Sequence, residues 1–234
     1  MLYDISRPAT QFLRLQPWYC LLPEAAQSRL IEQAMTQSGE RGEVLLRAGE
    51  PVDGWYAVLS GLVKLQTRSA QGRLSVFLGV PGGEWFGEGS VMKSEPRRYD
   101  VIALRDTQLL CLPRPLFDDL RATSLAFNQA LLVQMNMRLG QAMAVIEAGR
   151  IRSPEQRVAL YLSRLFWHGM RRLNLSQEEL GQLAGLSRQT VNRVLQVLEQ
   201  EGLVSLAQGR VGILDEAGLV AFVAHGGTPS AGQL

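Results

Sequence analysis

A chain of 234 residues, 46% hydrophobic and 20% charged with a formal net charge of +2, suits one or two globular domains and does not advertise polyanion binding through its overall charge. Two cysteines, Cys20 and Cys111, and two histidines, His168 and His225, argue against a disulfide framework, a zinc knuckle, an iron–sulfur cluster held by this chain alone, and a His-ligated metal or haem in the N-terminal half. No apolar run approaches the ~20 residues that cross a bilayer, and the start, MLYDISRPATQF, lacks signal-peptide character, so a cytoplasmic location without membrane contact is expected.

Residues 23–37, PEAAQSRLIEQAMTQ, read as a short helix with Pro23 suited to its first turn. From Glu43 to Pro113 the texture changes to short apolar runs broken by glycines and polar turns: EVLLRAGE, WYAVLSG, LVKLQTRS, RLSVFLGV, YDVIALR and TQLLCLP. Leu62, Lys64 and Gln66 alternate with Val63, Leu65 and Thr67, while Gln71-Gly72 and Gly82-Gly83 supply turn chemistry. Many short strands without intervening helices predict a small β-sandwich or barrel. Cys111, inside the apolar stretch 109–112, is expected in its core.

Beyond Pro115 the period switches. Residues 124–149 hold no proline and many good helix formers, and Leu132, Met135, Leu139, Ala142, Ile146 and Gly149 follow a 3,4,3,4,3 spacing. A repeat of about 3.5 residues keeps one seam toward a partner helix, which predicts pairing with a second copy; the alternative is a helix packed on its own β-domain. A further helix starts at Ser153-Pro154-Glu155-Gln156. There Ser153 is the cap, Pro154 takes the first helical position and Gln156 completes a capping box, so residues 150–153 read as a joint between domains. Arg150, Arg152, Arg157, Arg164, Arg171 and Arg172 stand against Glu155 alone, either as a solvated face or as an electrostatic footprint beside phosphates.

Residues 177–196, QEELGQLAGLSRQTVNRVLQ, satisfy each requirement of a helix-turn-helix. Ser176 and Glu179 form a capping box for the first helix, whose inward face is Leu180, Leu183 and Ala184. Gly181 is small where two helices cross, Gly185 suits a left-handed helix end, Leu186 fills the turn, and Ser187 caps the second helix. Val191, Val194, Leu195 and Leu198 then point inward, leaving Arg188, Gln189, Asn192, Arg193 and Gln196 on one outward face, with Thr190 beside them. Arginine pairs with guanine through two bonds and Gln or Asn with adenine, so this face suits a recognition helix in a major groove. The segments 202–206 and 210–214 flank Gln208-Gly209 as a hairpin, a wing from which Arg210 can reach a phosphate.

With these motifs in view, residues from about 20 to 215 resemble the Crp/Fnr family of bacterial regulators, through Gly83-Glu84-Trp85-Phe86-Gly87-Glu88, the long helix and LSRQTVNRVLQVLEQEGLV. The resemblance implies an α+β architecture: a β-roll (jelly-roll, cyclic-nucleotide-binding-like) sensor domain over 1–122, a dimerisation helix over 123–150, a winged helix-turn-helix over 151–226 and a disordered tail over 227–234. It implies a homodimer on a two-fold site in double-stranded DNA, with RNA polymerase a further candidate partner, and base readers Arg188, Gln189 and Arg193. Family members often carry Glu at the position of Gln189, so the preferred half-site differs there.

The effector pocket departs further from the family. In nucleotide-binding members a Glu holds the ribose and an Arg-Ser-Ala segment holds the phosphate. Glu88 and Arg98 fall at that spacing, but Tyr99 and Asp100 replace the small pair, one crowding a phosphate and the other repelling it. Ala142 and Met143 stand where cyclic-AMP-binding members use two hydroxyl residues. Glu88 and Arg98 are therefore either a remnant pocket or, the preferred reading, an ion pair bracing the β-roll. Cyclic AMP is disfavoured as effector, while cyclic di-GMP, an apolar metabolite or regulation without a ligand stay open. Two rival functions are a cupin-like enzyme with a DNA-binding appendage, which lacks its histidine ligands, and a ligand-binding module whose winged domain docks protein.

Overall fold

The computed structural model describes residues 3–4, 7–68, 74–150, 153–163, 175–207 and 210–225. The chain divides into two compact units, Met1–Asn136 and Met137–Leu234, and the division falls inside the long helix.

The first unit opens with strand β1 (Tyr3–Asp4), helix α1 (Arg7–Arg14) and helix α2 (Glu24–Gln33). Helix α2 is shorter than the sequence pattern predicts. Ala34 turns extended, and Met35–Gly39 becomes strand β2, with Met35 opposite Cys111. Pairing with a buried neighbour strand overrides the weak helical preference of that stretch. There follow β3 (Val44–Leu46), β4 (Gly54–Ser60), β5 (Leu62–Arg68), β6 (Leu74–Pro81), β7 (Trp85–Phe86), the short helix α3 (Glu88–Lys93), β8 (Asp100–Ala103) and β9 (Thr107–Pro113). They form two antiparallel sheets in the orders β1-β2-β9-β4-β7 and β3-β8-β5-β6. The predicted β-domain is thus present, though α3 interrupts it where no helix was expected. The Gln71-Gly72 turn lies outside the described residues.

Alternation along β4 shows how the sheet sorts its side chains. Trp55 and Ala57 join Leu110 and Leu112 in a core with α1, α2, α4 (Arg114–Thr123) and the start of α5 (Leu125–Arg150). Trp55 stacks on Trp85 at 4.1 Å, and Phe117 and Phe127 meet Trp55 edge-on. Tyr56 and Val58, one step away, face the opposite side with Cys111, which is buried as expected.

In the second unit, α6 (Pro154–Leu162) begins as predicted at Ser153, whose hydroxyl accepts from the Gln156 amide. The capping box is not closed. Gln156 Nε2 instead donates to the carbonyl of Val223, and the Ser153 hydroxyl donates to Glu155. Helices α7 (Gln177–Ala184) and α8 (Arg188–Gln200) are followed by the antiparallel pair β10 (Val204–Ala207) and β11 (Arg210–Ile213), then α9 (Glu216–His225). Helix α6 packs against α7, α8 and α9. Arg152, Arg164, His168, Arg171, Arg172, Gln208-Gly209 and the tail 227–234 lie outside the described residues.

Candidate functional site

The helix-turn-helix is assembled by short-range bonds. The Ser176 amide donates to Glu179 Oε2 at 2.7 Å while the Glu179 amide donates to Ser176 Oγ at 3.2 Å, which closes the capping box at the start of α7. Gly185 ends that helix at φ 66°, a left-handed conformation that side chains disfavour. A β-carbon at Gly181 would lie 3.1 Å from the Leu186 carbonyl oxygen, so the turn leaves little room for more than hydrogen there. Ser187 Oγ accepts from the Thr190 amide and caps α8.

Val191, Val194, Leu195 and Leu198 are buried, which fixes the rotation of α8. The opposite face carries Arg188, Gln189, Arg193 and Gln196, all exposed, with Asn192 half-buried beside them. Arg193 Nη2 lies 3.2 Å from Glu155 Oε1 at the start of α6. The wing is tied back to α8, because the Leu206 amide donates to Glu199 Oε1 at 2.9 Å. Arg210 opens β11 opposite Ala207.

Helix α5 carries an apolar stripe that this chain leaves open. Leu132, Leu139 and Ile146 are 65%, 60% and 61% exposed, Met135 and Ala142 are exposed on the same seam, and Leu125 continues it one heptad earlier. Met143, beside the seam, is exposed too.

The β-roll differs from the sequence expectation at Arg98 and at Asp100. Arg98 is 69% exposed and its guanidinium binds Glu95, at 2.7 and 3.1 Å from Oε2, rather than pairing with Glu88. The inward arginine is its neighbour Arg97, 3% exposed, stacked 5.1 Å over the Tyr56 ring. Its Nε and Nη1 find no hydrogen-bond partner among the described residues. Backbone bonds from Arg97 N to Glu50 O and from Gly49 N to Arg97 O hold the segment in place. The two adjacent side chains face different sides, so the ten-residue spacing from Glu88 found the segment but missed the inward residue.

Asp100 is corrected likewise. Its Oδ1 accepts from the Ala48 amide at 2.8 Å, which occupies it with a neighbouring loop. Tyr99 does reach the site: a β-carbon at Gly87 would lie 4.0 Å from both the Tyr99 hydroxyl and Arg97 Nη1. Glu88 is buried at the start of α3, directly after Gly87 with φ 89°. Burial pushes the Cys111 thiol up to about 11, and the nearby Tyr56 hydroxyl rises for the same reason, so both stay protonated at neutral pH. Trp85, three residues before Glu88, accepts at its carbonyl from Gln134 of α5 at 2.9 Å and donates its ring N–H to Gln16. Among the described residues no group of three or more His, Cys, Asp or Glu is placed to hold a metal ion, and no helix is long and apolar enough to cross a membrane.

Comparison with known proteins agrees with this layout. The cyclic nucleotide-binding domain model matches residues 36–124, and the Crp-like helix-turn-helix domain model matches residues 156–222. The chain is 33% identical over 189 residues to a cyclic AMP receptor protein of Thermus thermophilus, covering 80% of this chain and 86% of that one. A crystal structure of a CRP/FNR-family transcriptional regulator from the same organism matches at 26% identity with a TM-score of 0.58, covering 81% of this chain and 98% of that one. The c-di-GMP responsive global regulator CLP of Xanthomonas campestris shares the fold, with a TM-score of 0.60 at 22% identity, over 82% of this chain and 100% of that one.

Proposed function

Because the chain belongs to the Crp/Fnr family of DNA-binding transcription regulators, we propose that it acts as a homodimer on a two-fold site, paired along α5, with α8 of each protomer in one of two major grooves ~34 Å apart. The observation that carries this reading is the outward face of α8. Val191, Val194, Leu195 and Leu198 are turned in, and the outward face of its first three turns is Arg188, Gln189, Asn192, Arg193 and Gln196, side chains whose donors and acceptors match base edges and phosphates. Arg188 and Arg193 read guanine, Gln189 reads adenine, and Ser187, Thr190 and Arg210 serve the backbone.

The open stripe on α5 supports the dimer. Leu125, Leu132, Leu139 and Ile146 recur every seven residues, and a seam of exposed leucines at that period is stable only against a second helix.

The β-roll receives a small anionic effector at Arg97, and this effector is not cyclic AMP. A buried guanidinium with unpaired nitrogens is costly unless an anion joins it. Tyr99 shares that space and crowds a cyclic phosphate there. One relative is by name a cyclic AMP receptor and another a c-di-GMP responsive regulator, so one fold serves more than one effector. The bond between Trp85 and Gln134 gives the site a route to α5, through which an effector shifts a two-state equilibrium of the dimer.

A thermal-shift series with cyclic AMP, cyclic GMP and cyclic di-GMP tests this. A ligand that selects the folded state adds ~2.7 kcal/mol at a hundred times its Kd. A shift with cyclic AMP contradicts the reading of Tyr99. The rival in which the winged domain docks protein predicts binding that ignores salt, whereas phosphate contacts make DNA affinity fall steeply with it.

A further inference from the structure

Five side chains form the outward face of α8, and one of them is treated differently from the rest. Among the described residues Arg188, Gln189, Asn192 and Gln196 make no side-chain hydrogen bond or ion pair, whereas Arg193 Nη2 meets Glu155 Oε1 at 3.2 Å. The carboxylate that holds it is itself held. Glu155 Oε2 accepts from the Ser153 hydroxyl at 2.7 Å, and Ser153 Oγ accepts from the Gln156 amide as the cap of α6. That hydrogen bond is the first cause, ahead of the nearby Arg193 charge, for a Glu155 carboxyl below its usual range. Helices α6 and α8 pack directly on each other, so the distance from this cap to Arg193 is set by the core of the unit.

The pair does little for folding. The Arg193 side chain is 66% exposed, and ion pairs that open to solvent add almost nothing to stability. By charge alone a carboxylate beside a DNA-facing helix repels phosphate. What it offers is geometry. It takes one nitrogen of a five-donor fork and leaves the others free for the two acceptors of a guanine edge. An arginine already confined to that arc loses less freedom on binding than one that swings freely.

We infer that Glu155 is a positioning residue for base recognition: anchored by Ser153 at the joint before α6, it orients Arg193, so that part of the sequence preference of α8 is set from outside the helix-turn-helix. The inference rests on Arg193 being a base reader. Arg188, on the same face without such a partner, is its internal control.

The experiment uses the full chain and the duplex recovered by selection from a random library, with each base pair of one half-site then varied singly. Wild type, Arg193→Ala, Glu155→Gln and Glu155→Asp are compared by relative Kd at each position, alongside their melting temperatures. Arg193→Ala is expected to flatten discrimination at one base pair by about five- to fiftyfold. Glu155→Gln, which keeps the shape and loses the charge, and Glu155→Asp, which keeps the charge and shortens the reach, are each expected to flatten that same pair by roughly three- to tenfold. The pair read by Arg188 stays within about twofold, and melting is unchanged.

A uniform change at every position in the Glu155 variants, or none, overturns the inference while leaving Arg193 as a reader. An Arg193→Ala profile equal to wild type overturns the reading beneath it. Should one Glu155 variant melt early, the other decides.

Discussion

Arg193 and Arg97 make a useful contrast. The first stands on an open helix face, 66% exposed, with one carboxylate partner and the rest of its fork in water. The second is 3% exposed inside the β-roll, stacked over the Tyr56 ring, with Nε and Nη1 unpartnered among the described residues. An exposed arginine costs the fold nothing and waits for a large polyanion. A buried one is an energetic debt that a small anion relieves, so ligand binding and stability are linked there and independent on α8. In the function proposed above, the exposed arginine reads and the buried one senses.

The largest effect is expected from removing the proposed dimer. Changing Leu132 and Leu139 together to Asp places charge on the open stripe of α5. We expect sedimentation to show monomers at concentrations where wild type is dimeric, and affinity for a two-fold site to fall by about 10²- to 10⁴-fold as one half-site loses its tether. Next comes Arg97→Met. Replacing a buried unpaired cation by an apolar chain of similar length is expected to leave ligand-free stability unchanged or raise it by ~1–4 kcal/mol, while abolishing any effector-induced rise in melting temperature. A clear destabilisation of the ligand-free protein would mean that Arg97 is already satisfied.

Arg193→Met should do the reverse. Its stability stays within about 0.5 kcal/mol of wild type in a denaturant titration, and discrimination at one base pair falls by ~1–3 kcal/mol. Gly185→Ala sharpens the local argument for the turn. No atom lies within 4 Å of the added carbon, so the cost, ~1–2 kcal/mol, is the left-handed backbone alone.

The smallest effect is on pH. Glu155 has a carboxyl lowered first by the Ser153 hydrogen bond, with Arg193 contributing. Its contribution is therefore present above the ordinary Glu pKa and is lost as pH falls through the lowered folded value. The acid limb of stability in Glu155→Gln should be slightly shallower than in wild type.

The same pair of arginines explains what was legible beforehand. The helix-turn-helix lies within one contiguous stretch, and each of its requirements is local: a cap at Ser176, a left-handed Gly185, a cap at Ser187, and apolar residues at helical spacing. Such terms act over three or four residues, so pattern alone places them. The seam on α5 was readable for the same reason, although Leu125 extends it beyond the predicted start. Helix α4 is an addition to the sequence reading: Leu116, Phe117 and Leu120 have helical spacing, and Pro115 sits within its first turn instead of marking a boundary before it.

The surroundings of Arg97 lie at the other extreme. They draw on β4, β7, the segment before β8 and α3, and a count along the chain cannot fix which of two adjacent arginines turns inward. The spacing from Glu88 points to Arg98, whereas the buried member of the pair is Arg97 and Arg98 turns outward to Glu95. The link from Glu155 to Arg193 spans 38 residues and depends on how α6 packs on α8, which no local pattern encodes.

Two-fold recognition through α8 is tested most directly by selection of DNA sites from a random duplex library with the purified protein. The expected result is enrichment of a two-fold sequence whose half-sites are centred about one helical turn, ~10 base pairs, apart, with one enriched base pair per half-site that loses its preference in Arg193→Ala. Enrichment of a single unpaired motif, or recovery of the same profile with and without Arg193, would contradict it.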